Sequence, residues 1–77
     1  MKIDKYLNEV EKVMELDKGV MSLDDTLDQY ASWDSLAVLS FIAMVDTLFD
    51  FRVAASDVNA CKTISHLVEL LGDKIEK

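Results

Sequence analysis

Apolar residues recur along the start of the chain at the spacing of one helix face. Ile3, Leu7, Val10 and Met14 stand four, three and four positions apart, with Tyr6 and Val13 beside the same stripe. The opposite positions hold Lys5, Glu9, Glu11, Lys12 and Glu15. The pattern predicts an amphipathic helix over residues 3–16, with slight support from Lys5 and Glu9 four residues apart. Gly19 then serves as its C-terminal stop.

The periodicity fails over residues 17–34, where Asp17, Gly19, Ser22, Asp24, Asp25, Thr26, Asp28 and Ser32 give a turn-like composition. A connection this long in a small domain tends to be functional. Val20, Met21, Leu23, Leu27, Tyr30 and Trp33 are its expected anchors, and Ser22-Leu23-Asp24-Asp25 fits a capping pattern for one short helical turn. Residues 35–49 predict a second helix with apolar side chains on nearly every face. A domain of 77 residues cannot bury such a helix all round, so some of Leu36, Leu39, Ala43 and Met44 should stay exposed or line a cavity. Residues 50–55 read as a short extended link. Ser56 can cap a brief helix over 57–60, and Thr63 can cap a last helix over 64–71 with Ile64, Leu67, Val68, Leu70 and Leu71 as its stripe and Gly72 at its end. The last five residues, polar apart from Ile75, are expected to fray. The fold class is therefore all-α: an antiparallel bundle of three main helices plus one short helix, with a long loop between the first and second, in a single domain over 1–77.

Composition narrows the function. Two glycines and no proline favour helix, and one cysteine excludes a disulfide-stapled miniprotein. One cysteine and one histidine cannot build a tetrahedral metal site. Asp24, Asp25 and Asp28 do not make a calcium loop, because the glycine and glutamate at its sixth and twelfth positions are missing. The run Leu36–Val45 is too short to span a bilayer, and the start lacks the apolar stretch of a secretory signal. These features point to a cytoplasmic chain without membrane insertion. The formal net charge is −7, and eight acids against two bases between Asp17 and Asp57 put −6 of it in the middle of the chain. Nucleic acid is disfavoured as a partner, since phosphate binding needs a basic surface. A basic protein surface fits better.

The tripeptide Asp34-Ser35-Leu36 lies where the long loop ends and the second helix begins. A serine there has a solvent-facing hydroxyl, unsatisfied first-turn amides beside it and the positive end of the helix dipole, a setting suited to a covalently held phosphate. The plainer alternative is that Ser35 or Asp34 only caps the helix. Elsewhere the chemistry is sparse. His66 reads as a surface residue, Cys61 as a small packed side chain with Lys62 as the one neighbour able to lower its pKa, and Trp33 as a loop anchor next to the serine. No nucleophile, base and orienting group can be assembled, so an enzyme is not expected.

Taken together, the acidic balance, the long first loop, Trp33-Asp34-Ser35-Leu36-Ala37 opening a helix, Phe49-Asp50-Phe51 closing it, the short third helix and the Thr63-Ile64 start of the last one resemble an acyl carrier protein of the phosphopantetheine-dependent carrier family. The resemblance implies that Ser35 accepts 4′-phosphopantetheine from coenzyme A through a separate, magnesium-dependent phosphopantetheinyl transferase. The arm's thiol would then hold acyl or aminoacyl groups as thioesters and present them to acyl-activating and acyl-transferring enzymes, with the chain acting as a monomer. It also implies partner contacts at Asp34, Leu36, Leu39, Ala43 and Asp46. The sparse charge on the second helix, where only Asp46 is ionised, and Ser32-Trp33 before the motif depart from fatty-acid carriers, so a carrier for a secondary metabolite, a surface polysaccharide or an amino acid is as well supported as a fatty-acid one. The competing reading is a non-covalent acidic helical protein-interaction module.

Overall fold

The computed structural model describes residues 1–76. Four α-helices follow one another: α1 (Ile3–Val13), α2 (Ser35–Phe49), α3 (Ala55–Asn59) and α4 (Ile64–Glu69), with 3-10 turns at Leu27–Gln29 and Gly72–Lys74. Together they form an all-α helical bundle. Its core takes Tyr6 and Val10 from α1 and Met14 just past its end, Val38, Phe41 and Val45 from α2, Val58 from α3, and Ile64, Leu67 and Val68 from α4. Tyr6 lies at the centre. Its ring meets Phe41 and Phe49 edge-on at 6.5 and 6.1 Å, and its hydroxyl donates to the Leu67 carbonyl at 2.9 Å, tying α1 to α4. Burial, followed by the charge of Cys61, pushes its pKa well above the ordinary phenol value, so it stays a donor.

The first helix ends earlier than its apolar stripe suggests. Met14 is the C-cap, and Glu15 takes a left-handed φ of 58°. Leu16 N–H donates to the Glu11 carbonyl and Glu15 N–H to that of Lys12, a Schellman closure with glutamate where glycine is usual. Gly19 has a different task from stopping the helix. Its φ of 88° lets the backbone turn its N–H toward α1. There it meets Glu11, which the helical period assigns to the solvent face but which is only 2% exposed. The Glu11 carboxylate accepts from Gly19 N–H at 3.0 and 3.1 Å and from Met21 N–H at 2.8 Å. On the surface of α1, Glu9 pairs with Lys12 at 3.4 Å, the i,i+3 partner, rather than with Lys5.

The long loop is stitched down again further on. Leu23 and Asp25 carbonyls accept from Ser65 and Ile64 N–H, and Leu27 N–H donates to the Lys62 carbonyl. The Leu23 and Asp25 carbonyls satisfy the first two amides of α4, and the Thr63 hydroxyl takes the next, from His66, at 3.3 Å. Ser22-Leu23-Asp24-Asp25 forms a turn closed by Ser22 N–H on the Asp25 carboxylate, and the helical turn of the loop comes later, at Leu27–Gln29, under a Thr26/Gln29 capping box. Met21 and Leu27 are buried anchors, whereas Val20 and Leu23 are 51% and 38% exposed. The third helix starts two residues before the predicted position. Its N-cap is Ala54, with no side-chain cap, so Ser56 is inside it. The fourth is shorter than predicted, with Leu70 as its C-cap. The C-terminal stretch does not fray through Glu76: Ile75 is 5% exposed, Ile3 N–H donates to the Glu76 carbonyl, and Glu76 N–H to that of Met1. Lys77 lies outside the described residues. Among the described residues, no helix is long and apolar enough to cross a membrane.

Two stability measurements follow. Replacing Glu11 by Ala strands the amides of Gly19 and Met21, so urea denaturation should register a loss of about 2–4 kcal/mol; a change under about 0.5 kcal/mol would show that the clamp contributes nothing net. Glu15→Gly relieves the left-handed strain and should raise stability by up to about 1 kcal/mol.

Candidate functional site: the N-terminus of the second helix

The loop reaches α2 through two aromatic anchors. Tyr30 donates its hydroxyl to the Asp25 carboxylate, which also accepts from Ser22 N–H. Those two bonds, the tyrosine first, lower the Asp25 pKa below its usual value, while burial and the neighbouring carboxylate push Tyr30 up to about 12. Trp33 is half-buried and packs edge-on against Phe41 of α2, with ring centres 6.0 Å apart. That contact sets the direction in which Asp34-Ser35-Leu36 enters the helix.

Asp34 is the N-cap. Its backbone is extended (φ −125°, ψ −172°), and its Oδ1 accepts from Ala37 N–H at 2.9 Å. Ser35 is therefore the first helical residue and not the cap, which separates the two roles that the sequence leaves open. Its side chain is exposed, and its hydroxyl hydrogen-bonds to no described residue. The backbone amides of Ser35 and Leu36 likewise have no partner among the described residues. The start of α4 contrasts with this, since loop carbonyls and the Thr63 hydroxyl occupy its first three amides. Two free N–H groups and the positive end of a 15-residue helix thus surround an unengaged hydroxyl. This arrangement fits an ester-linked phosphate: the oxygen is accessible, and donors are at hand for the anionic oxygens.

Beyond Ser35, α2 presents two faces. Ala37, Val38, Phe41 and Val45 are buried in the bundle. Leu36, Leu39, Ala43 and Asp46 fall on an outward stripe at helical spacing, with Leu36 71% and Leu39 63% exposed. Met44, half-buried, lines an open groove with Glu9, Ser40, Ala43, Thr47 and Leu48. Asp46 is 3.9 Å from Arg52 Nη2, a loose surface pair. Exposed leucines next to the free end of a helix are what a docking partner could grip.

The remaining candidates are placed as structural residues. His66 is exposed, and its Nδ1 accepts from Lys62 N–H at 3.1 Å. Cys61 is half-buried with its sulfur 3.4 Å from the Asp57 carbonyl. Burial, and then Asp57 and Glu69, push its thiol pKa up, so Lys62 does not activate it. One feature escaped the sequence. A cleft of about 420 Å³ opens beside Trp33, between the 3-10 turn at Leu27 and the link joining α3 to α4. Its walls come from segments far apart in the chain, 26–28 and 59–62, and no local spacing signals them.

The profile of the family described as "Phosphopantetheine attachment site" matches residues 5–71. The chain therefore belongs to the phosphopantetheine-attachment family of carrier domains. The group carried by this family is 4′-phosphopantetheine, held covalently. No curated protein and no solved structure gave a significant match to the chain.

Two measurements check this geometry. Removing the cap with Asp34→Ala should destabilise the protein by about 1 kcal/mol, while Asp34→Asn should stay close to the parent; equal losses in both would contradict a capping role. The depressed Asp25 pKa means that its contribution is present above the unfolded carboxylate value and is lost as pH falls through the lower folded value. In an NMR titration Asp25 should ionise below the ordinary aspartate value, and Tyr30→Phe should move its midpoint upward. An unchanged midpoint would discount the tyrosine bond.

Proposed function

We propose that Ser35 is the attachment point for 4′-phosphopantetheine and that the chain is a carrier, not an enzyme, working as a single domain and a monomer. The observation that supports this most directly is the pairing of an unengaged, exposed Ser35 hydroxyl with two free helix-start amides, in a chain of this family. In the modification step the Ser35 oxygen attacks the phosphorus of coenzyme A next to the pantetheine, the new P–O bond replaces the one to 3′,5′-ADP, and the serine proton goes to a base of the transferase. The arm, once attached, supplies a thiol that forms thioesters with acyl or aminoacyl groups.

The residues of the chain then have distinct tasks. The Ser35 and Leu36 amides offer donors to the phosphate oxygens. Asp34 holds the first turn closed with one carboxylate oxygen and leaves the other for a basic residue of the transferase. Leu36, Leu39 and Ala43 form the apolar contact with partner enzymes, and Asp46 adds charge at its far end. The acidic middle of the chain steers partners with basic surfaces toward this stripe, which suits brief and repeated docking. The partners so implied are a phosphopantetheinyl transferase and the acyl-activating and acyl-transferring enzymes that load and unload the thiol.

Intact mass before and after incubation with coenzyme A, magnesium and a broad-specificity transferase tests the proposal. One phosphopantetheine should be gained by the parent and none by Ser35→Ala. A folded, initially unmodified parent that gains nothing would overturn the carrier reading and leave a non-covalent interaction module. For the docking stripe, Leu36→Ala should leave stability within about 0.5 kcal/mol, as expected for an exposed side chain. It should lower transferase kcat/KM by about tenfold, the equivalent of about 1.4 kcal/mol of lost binding. Added salt should slow association without changing dissociation to the same degree; an on-rate independent of salt would count against the acidic face.

A further inference from the structure

The cleft beside Trp33 has a chemical character that the carrier role does not by itself require. Its volume of about 420 Å³ lies within the range of small-molecule sites. Thr26, Leu27 and Asp28 form one wall, and Asn59, Cys61 and Lys62 the other. The walls are fixed to each other by the Leu27 N–H bond to the Lys62 carbonyl at 2.8 Å and by the Thr26–Thr63 bridge, so the cleft is preformed. Trp33, which also lines it, stands two residues before Ser35, at most about 7 Å of chain away. A flexible arm rooted at Ser35 can therefore fold back into this cleft.

The two charged groups of the walls are unpaired. Among the described residues the ion pairs are Lys12–Glu9 and Arg52–Asp46, and neither Asp28 nor Lys62 takes part in one. The cleft therefore offers one carboxylate and one ammonium to an occupant. Every thioester brings a carbonyl oxygen, which suits the ammonium. An aminoacyl thioester also brings an ammonium of its own, which suits the carboxylate. A dicarboxylic acyl group would have its free carboxylate in the field of Asp28 and of a chain with net charge −7. A plain alkyl group would gain nothing from Asp28, whose exposed carboxylate keeps its water, so the preference for an amine rests on the attraction that the amine adds.

We propose that this cleft is a cargo subsite and that the group it selects is aminoacyl, its amine held by Asp28 and its thioester carbonyl by Lys62. The proposal rests on attachment at Ser35, and the test separates the two. A transferase loads the parent with hydrolysis-proof, amide-linked coenzyme A analogues bearing glycyl, butyryl or succinyl groups, and mass confirms each loading. Nitrogen-15 spectra of the three forms are then compared at the Trp33 indole N–H and at the backbone amides of Asp28 and Lys62. The glycyl form should shift all three signals relative to the butyryl and succinyl forms. Asp28→Asn, a substitution of an exposed side chain, should abolish that difference in protein that mass shows to be fully loaded, and Lys62→Gln should reduce it. Identical spectra for the three arms, larger shifts from the butyryl or succinyl arm, or a glycyl effect that survives Asp28→Asn would overturn the subsite. Failure to load the parent at all would overturn the carrier reading, and the subsite with it.

Discussion

A single buried carboxylate sets the path of the chain between α1 and α2. Glu11 is held out of water with no ion pair among the described residues, and it is tolerated there because backbone N–H groups of Gly19 and Met21 converge on its oxygens. The loop gains a fixed point from this clamp just after the helix reverses. From that point the backbone zips onto the start of α4, and then Trp33 locks against Phe41. Ser35 is placed at the end of this sequence of tethers. A connection that would otherwise wander thus delivers its last residues to a defined spot and angle.

The second helix answers to two demands. Its inner face belongs to the core, and its outer stripe is apolar without being covered. Exposed leucines are normally a liability for solubility, which the strong negative charge of the chain offsets. The position of the charges matters as much as their number. Only Asp46 carries a charge within α2, so the exposed apolar stripe and most of the acids of the chain lie on different segments.

Much of this was legible in the chain. The limits of α2 were readable from the apolar run over 35–49 between a polar loop and an extended link, and the structure adds that Asp34 is the cap and that Asp50 ends the helix in a left-handed turn. The exposed stripe followed from counting apolar residues against the burial a small domain can provide. The family resemblance, carried by Asp34-Ser35-Leu36 and its surroundings, agreed with the profile match. What local reasoning missed depended on distant contacts. Periodicity put Glu11 in water, because no helical pattern shows that a loop eight to ten residues later will donate to it. Glu15 adopts a conformation that propensity assigns to glycine, because the closure bonds of the helix end outweigh the strain. The stretch around Ile75 and Glu76 looked too polar to be ordered, yet Ile75 is buried in the core and Glu76 finds partners at the opposite end of the chain.

That last pairing has a geometric consequence. The parallel bridge between Lys2 and Glu76 brings the first and last strides of the backbone side by side, so the path is nearly a closed ring. Because the two strides run in the same direction, polypeptide joined before the first and after the last would arrive and depart in line along one edge of the bundle. A tether on one side and a tether on the other would therefore act as a single pivot, about which the whole carrier could swing between stations without its own fold being pulled apart.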